Sequence, residues 1–221
     1  MPRYTHLLLD LDDTLYPGTS GVWDAVRDRI QTFIVSRLSI PEKDATDLRR
    51  RYLEQYGTTL SGLVEEHNVD IKVYLDYVHD VPLEQYLAPD PGLREMLASI
   101  KIPRVIFTNS YQPHAQRVIE QLGVQDQIDQ IIDIYALGFI NKPKLEAYHI
   151  ALYLISSDDP SRVVLVDDRL ANLKPAADLN MVTVLVGPRP ETNSHLHIEQ
   201  IGHLTKLLPG LKGHYPGESD D

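Results

Sequence analysis

The stretch His6-Leu7-Leu8-Leu9-Asp10-Leu11-Asp12-Asp13-Thr14-Leu15 joins an apolar run directly to a cluster of carboxylates. A run without polar alternation fits a strand covered on both faces, as in parallel sheets flanked by helices. Asp10 and Asp12 stand two positions apart, with the Thr14 hydroxyl two further on. An extended backbone would aim both carboxylates to one side, unless the turn rotates Asp12 away. Ligands in open α/β sheets bind at the carboxyl ends of strands, beside the point where strand order reverses. Residues at strand ends are therefore the first candidates for function.

Four further runs read as buried parallel strands: Arg104-Val105-Ile106-Phe107-Thr108, Ile131-Ile132-Asp133-Ile134-Tyr135, Arg162-Val163-Val164-Leu165-Val166-Asp167 and Val182-Thr183-Val184-Leu185-Val186. Helical patterns over 112–122, 143–154 and 170–179 separate the later ones. That alternation predicts a doubly wound α/β domain with a parallel sheet. The gap between the first and second strands is too long for one crossover helix. It carries four amphipathic patterns, through Val22–Ile34, Leu48–Tyr56, Leu60–His67 and Val73–Tyr77, and Pro82, Pro89 and Pro91 punctuate the return to the sheet. The expected organisation is a core of residues 1–16 and 89–211, an inserted all-helical cap over 17–88, and a flexible tail over 212–221. Helices packed on the sheet without a separate lobe are the alternative for the insert. After Gly187 strand signals stop, and Ile198 to Leu208 reads as one last helix.

The 221 residues, 43% of them hydrophobic, suffice for a sizeable core. There are no cysteines, which excludes thiolate nucleophiles, zinc-thiolate sites and disulfides; any nucleophile carries oxygen or nitrogen. No run of about eighteen apolar residues could span a bilayer, and the start, Met1-Pro2-Arg3-Tyr4-Thr5-His6, is expected to lead into the first strand rather than to form a secretory signal. The expectation is a cytoplasmic protein with no membrane partner. A net charge of −11 argues against a nucleic-acid surface, and Arg49-Arg50-Arg51 reads as a solvated helix face. That charge also repels small phosphorylated substrates at long range, so an enzyme acting on them needs local cations.

At the other strand ends lie Thr108-Asn109-Ser110, then Lys142-Pro143 in the loop after the third strand, then Asp167-Asp168 with Asn172 following. Each has an ordinary explanation: an Asp after a strand often caps the next helix, and Lys142 alone would be a surface lysine. Their joint placement at successive strand ends is what points to a site. An EF-hand starting at Asp10 fails because Leu15 and Gly21 stand where Gly and Glu are required. Neither Gly-x-Gly-x-x-Gly nor Gly-x-x-x-x-Gly-Lys occurs, and His195 and His197 read as surface residues of a polar tail.

The ordered set resembles the four-part signature of the haloacid dehalogenase superfamily, from Leu7 to about Gly187. The resemblance implies strand order 5-4-1-2-3 and a helical cap of the kind called C1. It implies Asp10 as nucleophile and Asp12 as general acid/base, with Thr108, Asn109 and Lys142 around the phosphate. Asp10, the Asp12 backbone carbonyl, Asp168 and Asp167 through water would hold Mg²⁺, which prefers oxygen ligands and retained waters. Attack by a carboxylate on a phosphate monoester needs such cations to overcome like-charge repulsion. Asp at position 12 suits hydrolysis, in which a second proton transfer activates water.

A narrower resemblance, to pyrimidine 5'-nucleotidases, rests on Leu15-Tyr16, Tyr52-Leu53-Glu54-Gln55-Tyr56-Gly57, Gly62-Leu63-Val64-Glu65-Glu66-His67, Thr108-Asn109-Ser110-Tyr111 and Val166–Leu173. Where such enzymes commonly show Asp-Asp-Ser, this chain has Arg169. The resemblance implies a nucleoside monophosphate as substrate, with Tyr16 and Trp23 as candidate contacts. Phosphoglycolate or a sugar phosphate as substrate, a phosphomutase, and a phosphate-binding regulatory protein remain the alternatives, and the oligomeric state is open.

Overall fold

Leu7, Leu8 and Leu9 are fully buried in the computed structural model, which describes residues 3–188 and 195–213. They form β1 (His6–Leu9), whose neighbours are β2 (Arg104–Phe107) on one side and β4 (Val163–Asp167) on the other. β3 (Gln130–Ile132) extends the sheet beyond β2, while β5 (Val182–Val186) and β6 (Leu196–Ile198) extend it beyond β4. Every pairing is parallel, and the order is β3-β2-β1-β4-β5-β6. This is the expected order with one strand added at the β5 edge.

The strands read as unbroken apolar runs because both faces are covered. Leu8, Val105, Phe107, Val163, Leu165 and Leu185 cluster with Ala147, Tyr148, Ala151, Leu173 and Ala176. The two-residue period sends Leu7, Leu9, Ile106, Val164, Val166 and Val184 to the opposite face, where each is also fully buried.

The chain divides into two compact units, residues 20–86 and the remainder. Unit 20–86 contains α1 (Val22–Leu38), α2 (Glu42–Tyr56), α3 (Thr59–His67) and α4 (Ile71–Val78). Thr58 and Asp70 accept backbone N–H bonds from Ser61 and Val73 and so cap α3 and α4. Phe33 of α1 meets Tyr74 and Tyr77 of α4 edge-on, at centroid distances of 5.1 and 5.5 Å. In the other unit, α5 (Pro91–Ser99) starts with Asp90 as its cap and Pro91 in its first turn. α6 (Gln112–Gln121) follows β2, α7 (Leu145–Leu154) follows β3, α8 (Leu170–Asp178) follows β4, and α9 (Leu204–Leu207) lies beyond β6.

Three departures from the sequence reading have local causes. β3 ends at Ile132 rather than Tyr135, because the Asp133 carboxylate accepts from the backbone N–H groups of Gln112 and Ala136 and turns the chain. α7 begins at Leu145 rather than Pro143, since Lys144 is still extended. The single helix expected over 198–208 is replaced by β6, a 3₁₀ turn (Ile201–His203) and the four-residue α9. His197 accordingly belongs to the edge strand β6 and His195 immediately precedes it, the two half-buried against the Gly187 carbonyl (2.7 Å) and Thr183 Oγ1 (2.7 Å) respectively. Beyond Gly213 the expected tail lies outside the described residues. Among the described residues no helix is long and apolar enough to cross a membrane.

α2 and α3 approach so closely that a Cβ on Gly62 would lie 2.3 Å from Cγ of the fully buried Tyr52. Gly62→Ala is expected to destabilise unit 20–86 by about 1–3 kcal/mol or more, because ring and helix must separate. Gly202→Ala, with no described atom within 4 Å of the new Cβ, serves as the control. Denaturant titration followed by circular dichroism should separate the two, and equal stabilities would contradict the packing described.

Candidate active site

The ladder continues past the ends of the strands and fixes the first site residues. The Asp10 N–H donates to the Val166 carbonyl at 2.9 Å, and the Thr108 N–H to the Ile132 carbonyl at 3.1 Å. After Asp10 the chain turns: Leu15 N–H bonds the Leu11 carbonyl, and Asp13 takes a left-handed φ of 60°. That turn separates the two carboxylates of the first motif into different environments.

Asp10 faces Lys142. The ammonium donates to Asp10 Oδ1 at 2.8 Å and to Asp167 Oδ2 at 2.7 Å, with the Lys142 side chain 1% exposed. Thr14 Oγ1 donates to Asp10 Oδ2 at 3.3 Å. Burial would lower the Lys142 pKa, but the charges and hydrogen bonds of Asp10 and Asp167 outweigh it and hold the ammonium charged. For Asp10 the balance goes the other way: burial raises its pKa well above the ordinary value, Lys142 opposes, and Asp167 and Asp168 add repulsion.

Lys142 is held by its main chain as well as by its charge. Asn109 at the end of β2 donates Nδ2–H to the Lys142 carbonyl (2.9 Å) and accepts the Lys142 N–H on Oδ1 (2.8 Å). Asn141 Nδ2 reaches the same carbonyl at 2.9 Å. The Asn109 side chain, a candidate phosphate contact from sequence, is thus engaged in placing the lysine. Thr108 Oγ1 accepts the Ser110 N–H at 3.0 Å, so its own O–H can donate to a ligand.

Asp167 is fully buried and receives Asn172 Nδ2 at 2.9 and 3.1 Å and the Arg169 N–H at 2.9 Å. Position 169 therefore serves Asp167 through its backbone, which any residue but proline could do, while the Arg169 residue is exposed. Asp168 is half-buried, and its pKa is pushed up to about 7 by burial and then by the charges of Asp167 and Asp13.

Oxygen atoms of Asp10, Asp167 and Asp168 all lie within 4.8 Å of one another. Three carboxylates of this kind, two with raised pKa values, are a hard-oxygen donor set that suits Mg²⁺ or Ca²⁺ and lacks the nitrogen or sulfur of transition-metal sites. The residues fit a divalent cation. The Asp12 carboxylate is not among them.

Asp12 instead receives three side-chain donors: Tyr16 O–H at 2.6 Å and His114 Nε2 at 2.9 Å on Oδ1, and Ser110 O–H at 2.7 Å on Oδ2. Burial alone would raise its pKa, but the His114 charge and the hydrogen bonds from His114, Tyr16 and Ser110 hold it well below the usual carboxylate range. Tyr16 is only 3% exposed, and burial followed by the Asp12 charge pushes its phenol well up. The hydroxyl of Tyr16, a candidate substrate contact from sequence, is engaged by Asp12.

His114 escaped the sequence reading, and Ser110 was named there at a strand end without a role. One signal for His114 was available: it sits in the first turn of α6, where the positive helix end disfavours a cationic ring unless an anion is near. Trp23 belongs to the first turn of α1 in unit 20–86 and is 38% exposed. The other motifs of that unit form a network of their own. Glu66 accepts from both Arg51 nitrogens (2.6 and 2.7 Å), Tyr52 O–H (3.0 Å) and Tyr56 O–H (3.1 Å), and Tyr52 also meets His67 Nε2 at 2.8 Å. Those residues tie α2 to α3.

Comparison with known proteins places the chain in context. It is 28% identical over 198 residues to phosphate metabolism protein 8 of Saccharomyces cerevisiae, a match covering 83% of this chain and 62% of the yeast protein. The chain thus spans less than two thirds of that relative. Glyceraldehyde 3-phosphate phosphatase of Methanocaldococcus jannaschii is 22% identical over 201 residues, covering 81% of this chain and 83% of that one. Among solved structures, the magnesium-bound hydrolase YfnB of Bacillus subtilis superposes with a TM-score of 0.62 at 16% identity, over 93% of this chain and 99% of its own, a likeness of fold. The family model for haloacid dehalogenase-like hydrolases matches residues 4–180, a span that includes all four strand ends of the site, and the chain belongs to that family.

Proposed function

We propose that the protein is a magnesium-dependent phosphomonoester hydrolase in which Asp10 is the nucleophile and Asp12 the general acid/base, and that its substrates are pyrimidine nucleoside monophosphates. The observation that carries this reading is the buried Lys142 ammonium, shared by Asp10 and Asp167 beside a third carboxylate. A charge at that depth, joined to an oxygen nucleophile, suits an incoming dianion better than it suits a purely structural role.

In this scheme Asp12 takes up a proton from solvent as the phosphate dianion binds beside it; Asp10 then attacks phosphorus, the ester P–O bond breaks, and Asp12 gives that proton to the departing oxygen. Asp12 then takes a proton from water as that water attacks the aspartyl-phosphate, which frees the Asp10 carboxylate, and the proton returns from Asp12 to solvent as phosphate leaves. Lys142 offsets the charge on the phosphoryl oxygens, and Thr108 O–H and the Asn109 main chain are assigned to hold them. Mg²⁺, held by Asp10, the Asp12 carbonyl, Asp168 and Asp167, would supply further neutralisation of the phosphoryl charge. The magnesium-bound state of the Bacillus relative supports that cation.

The substrate rests on the sequence resemblance, and the name of the yeast relative agrees with phosphate chemistry at large. We assign unit 20–86 the role of a cap that selects the substrate, with Trp23 as its candidate contact. The archaeal relative's name favours one second reading, a triose phosphate as substrate.

A phosphate-release panel with Mg²⁺ tests the proposal. UMP and CMP are expected to exceed AMP and GMP in kcat/KM by about 10–200-fold, the range that a pocket matched to one ring typically gives. Asp10→Asn should lose release from every ester. Preference for glyceraldehyde 3-phosphate would replace the nucleotide assignment, and full activity in Asp10→Asn would end the mechanism.

The raised Asp168 pKa makes a second prediction. Its value in the folded protein, about 7, exceeds the ordinary 3.8, so the folded state holds this proton more tightly than the unfolded chain. The contribution of Asp168 to stability therefore falls as pH rises between those two values. A bound cation reverses that loss only where the carboxylate is ionised. Mg²⁺ should raise Tm clearly at about pH 8 and little at about pH 5, and Asp168→Asn should flatten the difference. Scanning calorimetry that finds equal shifts at both pH values would contradict the assignment.

A further inference from the structure

The Asp12 carboxylate has about four acceptor positions, two on each oxygen. Tyr16 and His114 both donate to Oδ1, at 2.6 and 2.9 Å, whereas Ser110 alone donates to Oδ2, at 2.7 Å. An ionised carboxylate only accepts, so Nε2 of His114 carries a hydrogen in this arrangement. Oδ1 is thereby filled, and one position on Oδ2 stays open.

The three donors come from separate places in the chain: Tyr16 from the turn after β1, Ser110 from the end of β2, and His114 from α6. The His114 side chain is fully buried and Tyr16 nearly so, and neither residue belongs to the Lys142 cluster. A carboxylate that only capped the α6 terminus would need a single donor. Three converging donors restrain both its torsion angles, as a proton-transfer group requires.

We propose that His114 and Tyr16 are positioning residues that saturate Oδ1 of Asp12 and so make Oδ2, steadied by the Ser110 hydroxyl, the atom that carries the proton to and from the reacting oxygen. This inference rests on the hydrolase reading above and adds to it two residues and one atom. Ser110 shares the working oxygen, so its hydroxyl also orients the proton along the remaining direction. Loss of either Oδ1 donor frees the carboxylate to rotate, and Oδ1 then competes for the proton in an unproductive direction.

The test compares leaving groups. Proton donation matters for an alkyl oxygen and hardly at all for 2,4-dinitrophenolate, while kcat/KM reports only the steps up to cleavage of the ester bond. Tyr16→Phe, which preserves volume, and His114→Ala are expected to lower kcat/KM about 10–100-fold for the best alkyl phosphate of the panel and less than about 3-fold for 2,4-dinitrophenyl phosphate. His114→Gln, which retains an amide N–H donor, should recover part of the loss. In an Asp12→Asn background the same substitutions should add little, because the group that they orient is gone. A loss of equal size for both esters, or no loss, would overturn the proposal, and so would full additivity with Asp12→Asn. Wild-type protein that releases phosphate from neither ester would refute the hydrolase reading itself, and this inference with it.

Discussion

One buried ammonium holds the site together. Lys142 lies between Asp10 and Asp167, two carboxylates delivered by the adjacent strands β1 and β4, and it reaches them from the loop after β3 at the far edge of that half of the sheet. Two carboxylates this close would repel one another in a site this buried, and a lone buried lysine would be equally unfavourable. Removing one partner from such a buried arrangement typically costs about 3–5 kcal/mol. The loop that carries Lys142 is therefore anchored twice: by charge at the side chain, and at the main chain by Asn109 and Asn141.

The same strand end gives two carboxylates opposite electrostatic characters. Asp10 shares its surroundings with Asp167 and Asp168, and burial and repulsion raise its pKa despite Lys142. Asp12, two residues on and within the turn that starts at Leu11, meets Tyr16, Ser110 and His114, whose hydrogen bonds, with the His114 charge, lower its pKa. Here the separation is produced by local geometry: the ladder bond of Asp10 to Val166 ends the strand, and the turn behind it sends the next carboxylate elsewhere.

Much of this was legible in the sequence because two strong signals coincide. Continuous apolar runs marked β1, β2, β4 and β5, whose faces are all covered, and Asp10, Thr108 and Asp167 stand at the ends of three of them. Weak or short signals failed. β6 has only Leu196-His197-Ile198 and lies at an edge, so no long apolar run announces it. Asp133 looked like the middle of a strand, yet its carboxylate turns the chain by binding two N–H groups, one of them distant in sequence. Ser110 and His114 are separated from Asp12 by about a hundred residues, and only the pairing of β1 with β2 brings them together. Arg169, conspicuous in the sequence, contributes a backbone N–H that its side chain does not determine.

The most direct measurement of the central claim is to find the phosphoryl group. Asp12→Asn protein, mixed with an aryl phosphate and Mg²⁺, should complete the first transfer and stall at the second, since the departing phenolate needs no acid whereas the attacking water needs a base. After acid quench and borohydride reduction, peptide mass spectrometry should find position 10 converted from Asp to homoserine. A phosphoryl group on any other residue, or phosphate release without modification at Asp10, would contradict the account.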